Sequence, residues 1–288
     1  MGMNSFLQYT TEKRSLIINI MRFAILSIGG VTMVFPLLWM LTCALKSNTS
    51  ILSIPPEWIP REFVWSNFVI GLEHINFWQR FVNTTVIAVL STVGQVLSSV
   101  MVGYALARLS FPGRKIWFYL IIGSMMLPPL VGLIPLFRLY TALGWYNTWY
   151  PLIIPNFFGS PFYIFLVRQF LMTIPSSFDE AAKIVGANHM QVLYKVLIPM
   201  IKPAITVIVI MQLQASWNDY LNPLVYIYDD DKWTLSLAVA QYIGEYAVEW
   251  NKFMAADIVY MLPMIILFFA AQRYFMKGLG SLNFSGLK

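Results

Sequence analysis

Residues 171–202 read LMTIPSSFDEAAKIVGANHMQVLYKVLIPMIK and lie between two long apolar segments. This stretch is too polar to cross a membrane and too long for a simple turn. Ser177 and Glu180 have the spacing of a capping box, so a helix is predicted to begin there. Asp179 adds favourable negative charge to its first turn. The helix is expected to stop near Gly186, a residue that tolerates positive φ.

A second helix is predicted directly after this turn. Asn188 is a suitable N-cap, and Met190, Leu193 and Leu197 recur with helical spacing on one apolar face. Pro199 is expected to end the helix. The loop is therefore predicted to be a helix, a tight turn and a helix lying along a membrane surface. Two small residues of the first helix are expected to be exposed for close contact: Ala181 and Ala182.

Composition places the chain in a membrane. Of 288 residues, 58% are hydrophobic, 16% are aromatic and only 11% are charged, too few charges to cover a soluble protein of this size. The net charge of +6 is spread beside apolar runs without a basic cluster, which argues against nucleic-acid binding. A single cysteine, Cys43, excludes an intrachain disulfide and is expected to pack in the core. The polar N-terminal segment does not resemble a cleavable signal peptide.

Six segments are apolar enough, at about 20 residues each, to span the bilayer. They cover residues 23–45, 83–106, 116–139, 150–170, 203–225 and 254–274. The fold class is therefore an all-α membrane protein, with residues 1–288 as one transmembrane domain. Prolines are expected to interrupt and kink most spans. They are Pro36, Pro128, Pro129, Pro135, Pro151, Pro155, Pro161, Pro223 and Pro263.

The basic residues give an orientation. With both termini on one side, thirteen of the 19 Lys and Arg residues fall on that side and six on the other. This asymmetry matches the positive-inside rule, so both termini and the loop at residues 171–202 are predicted to be cytoplasmic. The larger set comprises Lys13, Arg14, Arg22, Arg108, Arg114, Lys115, Arg168, Lys183, Lys195, Lys202, Arg273, Lys277 and Lys288.

Polar residues cluster in the fifth span. Polar groups within a membrane are costly unless they face a wet cavity or another helix, so they are candidates for a substrate path. An indole face beside amide and carboxylate groups suits a sugar, although the same groups could simply join neighbouring helices. The path candidates are Gln214, Trp217, Asn218, Asp219 and Asn222, with Gln212 and Tyr220 beside them.

The loop carries a family resemblance. Glu180, Ala181 and Ala182, then three residues, Gly186, nine residues and the run 196–199 ending in Pro199 resemble the EAA loop of ABC importer permeases. Val196 and Ile198 depart from that pattern with similar side chains. Four further stretches resemble the carbohydrate-uptake, maltose-transporter type: FPLLWMLTCALKS (35–47), GYALARLSFPGRK (103–115), QASWNDYLNPLVYI (214–227) and LPMIILFFAAQRYFMKGL (262–279).

The resemblance implies a type I importer fold in the bacterial inner membrane, with the loop as the coupling helix that docks on a cytoplasmic ATPase. It implies that Glu180 contacts the ATPase, that the two alanines allow close approach and that Gly186 forms the turn. Ala187 and Pro199 complete the set of residues expected to couple the loop to the ATPase. It also implies a second, different permease, two ATPase subunits, an extracytoplasmic solute-binding protein and a carbohydrate cargo. The chain has no GxxxxGK[ST] loop, so ATP and magnesium belong to the partner ATPase and no cofactor or catalytic residue is expected here.

Three alternatives remain open at this point. A glycerol-phosphate or polyol cargo would keep the ABC mechanism, and Arg138 and Arg168 leave it possible. An ion-coupled carrier would need several buried acids or histidines, for which only Asp219 and Asp257 are loose candidates. An intramembrane enzyme is disfavoured because GxSxG and HExxH motifs are absent, and His74 and His189 are isolated.

Two peripheral segments carry weaker expectations. Residues 229–252 contain three consecutive acids and several aromatics, and they are expected to form a solvated outer loop with interfacial side chains. In related importers this loop reaches toward the solute-binding protein. The tail at residues 278–288 is comparable to one that enters the ATPase interface in maltose-type permeases, but it departs from that sequence at Leu282, Asn283 and Phe284.

Overall fold

The computed structural model describes residues 3–242 and 249–281, and every described regular element is helical. The part of the predicted outer loop at residues 243–248 and the tail beyond residue 281 lie outside these ranges. The helices are α1 (Met3–Ala44), α2 (Asn48–Ile51), α3 (Ser66–His74), α4 (Phe77–Arg108), α5 (Arg114–Ser124), α6 (Leu133–Ala142), α7 (Tyr150–Ile153), α8 (Pro161–Thr173), α9 (Ser177–Ile184), α10 (His189–Gln191), α11 (Ile198–Met200), α12 (Lys202–Trp217), α13 (Leu221–Tyr226), α14 (Leu235–Gln241) and α15 (Trp250–Ser281). Val192–Leu197 is π-helical, and 3₁₀ turns occupy Pro129–Gly132, Ile154–Phe158 and Asp230–Lys232.

The chain divides into two compact units. The first contains the described residues of 1–72 and 246–258, and in it Asn67 donates from its side-chain amide to the carbonyls of Ala44 and Lys46, at 2.8 Å each. Cys43 is buried there, as predicted. The second unit contains the described residues of 73–245 and 259–288. It includes the loop at residues 171–202 and the polar cluster of the predicted fifth span. The expectation of one transmembrane domain stays a prediction.

Among the described residues, four helices are long and apolar enough to cross a membrane, and the number of candidate spans rises to six if each of two bent pairs counts as one. The four cover Ile18–Ala44, Phe77–Arg108, Tyr150–Thr173 and Trp250–Gln272. The predicted third span is broken, because Arg114–Ser124 and Pro129–Ala142 differ in direction by 95°. The other bend, of 80°, separates His189–Met200 from Lys202–Trp217.

The prolines do not all interrupt helices, which corrects the sequence prediction. Pro36 lies inside the continuous α1 and Pro263 inside the continuous α15. A single missing N–H is tolerated in an apolar helix that is otherwise fully hydrogen-bonded. Breaks do occur at the paired prolines Pro128 and Pro129, where two successive N–H groups are lost.

Helix α4 forms the centre of the second unit. Gly103 lies so close to α8 that a Cβ atom there would be 2.7 Å from Val167 Cγ1. Gly94 likewise adjoins the ring of Phe157. Small residues let helices approach closely where dispersion, and not water exclusion, drives their association. The buried polar side chains of α4 are paired, for example Ser91 Oγ donating to the Leu152 carbonyl at 2.9 Å.

The described part of residues 229–252 contains helical structure that the sequence did not suggest. Residues 229–252 were predicted to be a solvated loop, yet α14 lies within them, and Leu235, Leu237 and Ala238 are at most 2% exposed. The prediction was wrong because the three acids at 229–231 masked a short apolar run whose burial depends on α4. The Thr84 hydroxyl of α4 accepts from the Leu235 N–H at 2.8 Å.

Candidate functional site

Helix α9 begins at Ser177, but not through the predicted capping box. Ser176 is the N-cap residue, its backbone is helical, and its side chain makes no cap hydrogen bond. Ser177 already lies inside the helix, so its hydroxyl is not placed to cap. The Ser176 carbonyl instead accepts from the N–H groups of Asp179 and Glu180, at 2.9 and 3.1 Å. Glu180 is therefore free of the structural role that the sequence assigned to it.

An ion pair fixes α9 to the end of α4. Arg108 Nε lies 3.0 Å from Asp179 Oδ2, and both side chains are only 12% exposed. The contact is an ion pair and not an aligned hydrogen bond, since Nε and Asp179 Oδ1 have no hydrogen-bond partner among the described residues. Arg108 also donates from Nη2 to the Ile174 carbonyl at 2.6 Å. The Arg108 guanidinium thus contacts both α9 and the connecting segment that leads into it.

The turn after α9 has the predicted geometry. Gly186 has a φ of +84°, as expected for a left-handed residue after a helix. The N–H of Ala187 donates to the Ala182 carbonyl at 3.0 Å, and the N–H of Gly186 donates to the Lys183 carbonyl at 2.9 Å. These two bonds form a Schellman motif, which satisfies the last carbonyls of α9. The predicted turn at Gly186 is therefore present, whereas the coupling roles of Gly186 and Ala187 stay predictions.

Asn188 caps the second helix as predicted. Its side-chain oxygen accepts from the Gln191 N–H, and the Gln191 side chain accepts from the Asn188 N–H, both at 2.9 Å. This reciprocal pair is a capping box, and the spacing from Asn188 to Gln191 could have revealed it in the sequence.

The predicted apolar face of this second helix is confirmed at Leu193 and Leu197 but not at Met190, and the helix runs one residue past Pro199. Val192, Leu193 and Leu197 are at most 1% exposed, whereas Met190 is 47% exposed. The π-helical turn at Val192–Leu197 has a longer period than an α-helix, which moves the buried face. Pro199 lies in the first turn of α11 and does not end the helix.

The chain bends two residues after Pro199, at Ile201. A proline ring clashes with the carbonyl four residues earlier in an α-helix. The π-helical i→i+5 hydrogen bonding of Val192–Leu197 is compatible with the proline ring, so the helix continues through Pro199. Pro199 itself is exposed.

The residues of the loop at 171–202 therefore present two faces. Glu180 and Ala181 are exposed, and the Glu180 side chain makes no hydrogen bond or ion pair with residues 3–242 or 249–281. Ala182 was expected to be exposed but is half-buried, because it packs with Ala187 against the core that holds Val192 and Leu193. The outward face is small and carries one carboxylate, while the inward face joins α4 and α8.

A cavity of about 690 Å³ lies in the second unit. Its walls come from α4, α6, α7, α8, α12 and α13 and from the turns between them. Its polar lining consists of amides, hydroxyls and one carboxylate: Gln95, Asn156, Ser160, Gln212, Ser216, Asp219, Asn222 and Thr234. Its aromatic lining consists of Tyr140, Phe162, Tyr163 and Tyr226. No lysine or arginine lines it among the described residues.

Two of the predicted path residues line this cavity. Asp219 and Asn222 lie at the break between α12 and α13, where the Asn222 side chain donates to Asp219 Oδ2 at 2.9 Å. Trp217 is only 4% exposed and packs edge-on against Phe81, with a ring separation of 5.6 Å. Its indole N–H donates to the Tyr260 carbonyl at 3.3 Å. The stacking surface expected at Trp217 is thus covered in this structure.

The remaining two predicted path residues, Gln214 and Asn218, are exposed and do not line the cavity. Asn218 accepts from the Tyr260 hydroxyl at 2.9 Å and donates to the Gln214 carbonyl at 3.0 Å. The cavity instead includes Asn156, which sequence reasoning did not select. Asn156 Oδ1 accepts from the Gln212 amide at 3.0 Å and so connects the 3₁₀ turn after α7 with α12. An asparagine between Pro155 and Pro161 in an apolar span was the available signal.

A second polar cluster joins the connection after α6 with the connection after α13. Asn147 has a left-handed backbone, with a φ of 61°, and its side-chain oxygen accepts from the Asp229 N–H at 2.9 Å. Its amide donates to Asp229 Oδ2 at 2.6 Å, and Lys232 Nζ lies 2.8 Å from the same oxygen. The Lys232 ammonium and then the Asn147 amide lower the pKa of the Asp229 carboxyl.

The groups that an ion-coupled or metal-dependent protein would need are dispersed. The described residues contain no group of three or more metal-ligating side chains. His189 Nδ1 lies 3.3 Å from the Tyr104 hydroxyl, and His74 packs against Tyr242 with ring centroids 4.7 Å apart. Each histidine therefore has a local structural partner.

Comparison with known proteins decides the family. Residues 99–281 match the family described as binding-protein-dependent transport system inner membrane component. The chain belongs to this family. It is thus the permease subunit of an ABC importer and a multi-pass inner membrane protein that works with a binding protein and an ATPase. It is not an enzyme, and it carries no cofactor of its own.

Relatives of this importer permease carry different cargoes. The arabinooligosaccharides transport system permease protein of Halalkalibacterium halodurans is 32% identical, covering 85% of this chain and 89% of that protein. The sn-glycerol-3-phosphate transport system permease protein of Pectobacterium atrosepticum is 29% identical, covering 91% and 96%. The crystal structure of a bacterial ABC transporter involved in the import of the acidic polysaccharide alginate contains a chain with a TM-score of 0.79. That chain is 25% identical, covering 91% of this chain and 98% of that one.

Proposed function

We propose that this permease translocates an uncharged carbohydrate, such as an oligosaccharide, by alternating access. The observation that carries the proposal is the lining of the 690 Å³ cavity: eight amide, hydroxyl and carboxylate side chains, four aromatic rings and, among the described residues, no cation. Hydroxyl groups pair with amides and carboxylates, and the C–H faces of a sugar pack on aromatic rings. An anionic cargo would meet Asp219 with no positive charge to compensate for it.

The proposed assembly has two different six-span permeases facing two ATPase subunits, with both termini and the loop at residues 171–202 in the cytoplasm. The exposed face of α9 supports ATPase docking at this loop. Glu180 would supply a polar or ionic contact, Ala181 would allow close approach, and Ala182, Gly186, Ala187 and Pro199 would hold the loop in shape. Closure of the ATPase dimer would then move α9, and with it α4 and α8.

Glycerol-phosphate remains a second candidate because a permease for that cargo is 29% identical over 91% of this chain. The two basic residues that kept it open at the sequence level do not line the cavity. Arg138 is exposed on α6, and Arg168 faces a different pocket. These positions favour the uncharged cargo.

Two glutamines on α12 provide a matched test. Gln212 lines the cavity, whereas Gln214, two residues later, is exposed and does not. In the assembled importer, Gln212→Leu is expected to lower the rate of carbohydrate uptake about tenfold, because a sugar hydroxyl loses its hydrogen-bond partner. Gln214→Leu is expected to have little effect. An equal loss in the Gln214 variant would mean that the path follows another face of α12.

The cargo is tested separately in the same preparation. ATP hydrolysis by the purified complex with its binding protein is measured with neutral oligosaccharides and with sn-glycerol-3-phosphate. Stimulation by a neutral oligosaccharide is expected. Stimulation by sn-glycerol-3-phosphate alone would replace the proposed cargo but leave the importer assignment intact.

A further inference from the structure

A small basic pocket lies where α4 ends and α5 begins, beside α8. It has a volume of about 150 Å³, and we call it the basic pocket; its lining is Leu106, Arg114, Lys115, Phe118, Tyr119 and Arg168. It shares no residue with the cavity described above. Three of its six lining side chains carry positive charge, and two are aromatic.

The charge of the basic pocket is uncompensated within the described chain. Arg114, Lys115 and Arg168 form no ion pair with any residue of 3–242 or 249–281. Arg114 donates from Nη1 only to the Leu109 carbonyl, at 3.0 Å. The Arg168 guanidinium lies 4.0 Å from the centre of the Phe118 ring, and its Nε is buried without a hydrogen-bond partner in the same ranges. Three cations held around one small cavity favour an anion as its occupant.

The surroundings of the basic pocket are apolar. Helix α5 buries none of its residues, and four large side chains at its start are between 58% and 69% exposed: Ile116, Trp117, Tyr119 and Leu120. Aromatic residues beside cations at the end of a membrane helix are typical of the level of the lipid headgroups. An anion that brings its own acyl chains would cover both the charges and this apolar surface.

We propose that the basic pocket binds the phosphate of an anionic phospholipid, with Arg114, Lys115 and Arg168 around the phosphate and the acyl chains against α5. Basic pockets between helices at the cytoplasmic membrane surface recognise such headgroups. Bound lipid would join the start of α5 to α8, the helix that leads into the coupling loop. The proposal does not depend on the identity of the cargo.

Native mass spectrometry of the assembled importer tests this site. The complex in neutral detergent is incubated with equal amounts of phosphatidylglycerol and phosphatidylcholine, and the retained lipids are identified. The wild type is expected to retain phosphatidylglycerol preferentially. In the double variant Arg114→Gln/Arg168→Gln, the ratio of retained phosphatidylglycerol to retained phosphatidylcholine is expected to fall about tenfold. Arg22→Gln, which removes an exposed cation from α1, should keep it.

Thermal unfolding supplies the second measurement. Phosphatidylglycerol is expected to raise the Tm of the wild type and of Arg22→Gln but not of the double variant. If the double variant does not assemble, the exposed Lys115→Gln replaces it, with an expected loss of about fivefold. Equal retention of both lipids by the wild type would overturn the proposal. So would an equal rise in Tm with inorganic phosphate alone, since the site would then bind free phosphate.

Discussion

Arg108 at the end of α4 and Asp179 in the first turn of α9 form an ion pair, with Nε and Oδ2 3.0 Å apart and both side chains 12% exposed. The pair connects a long membrane helix with the short helix that carries the family motif. It lies one residue from Glu180, which points outward. The loop at residues 171–202 therefore has a fixed inward contact directly beside its exposed carboxylate.

Breaking this ion pair should destabilise the loop. Removing one partner leaves the other charge largely buried, which costs up to about 3 kcal/mol. Arg108→Gln and Asp179→Asn are each expected to lower the Tm of the purified complex. The double variant should lose less free energy of unfolding than the two single variants lose when their losses are added. The difference, which is the coupling energy of the pair, is expected to be about 1 kcal/mol or more. Strictly additive effects would show that the two charges do not interact.

Glu180→Lys is expected to uncouple ATP hydrolysis from transport without unfolding the protein. The side chain is exposed and makes no hydrogen bond or ion pair with the described residues, so its replacement should change the Tm little. Reversing its charge should weaken docking on the ATPase. The measurements are Tm, co-purification of the ATPase and sugar-stimulated ATP hydrolysis.

The control for Glu180 is Lys183→Gln, an exposed change on the same helix that leaves the motif intact. It should retain coupling. Normal transport by a fully expressed Glu180→Lys variant would contradict the docking role.

Gly103→Ala should loosen the packing of α4 on α8. The added Cβ would lie 2.7 Å from Val167 Cγ1 and 3.2 Å from the Ile164 carbonyl oxygen. Val167 is fully buried and β-branched, so it cannot move aside easily. Overpacking of this kind costs about 1–3 kcal/mol. Thermal unfolding measures the loss, with Gly123→Ala as the control, because a Cβ there meets nothing within 4 Å.

Asp229 should make stability depend on acidic pH. Lys232 and Asn147 lower the pKa of its carboxyl in the folded protein. Its stabilising contribution is therefore fully present above the unfolded-state pKa of about 3.9 and is lost as the pH falls through the lower folded-state pKa. The Tm difference between the wild type and Asp229→Asn should shrink below about pH 4. Asp231→Asn, which removes an exposed carboxylate without an ion pair in the described chain, should show a smaller difference at every pH.

The sequence by itself determined features that depend on local patterns. Low charge and long apolar runs required a membrane protein, and motif spacing identified the importer family. Gly186 and Asn188 were correctly placed because a left-handed turn and an N-cap depend on a few adjacent residues. The same local logic failed at Ser177, where the capping spacing was present but the helix begins one residue earlier than a cap there would allow.

Only the tertiary structure decided which residues meet across the chain. The contact of Arg108 with Asp179, the burial of α14 and the cavity joining Asn156 to Gln212 each connect segments more than 50 residues apart. Trp217 and Asp219 are neighbours in sequence, yet one packs between helices and the other lines the cavity. Periodicity and capping fix the conformation of a segment, whereas the burial of a particular side chain depends on the distant surface packed against it.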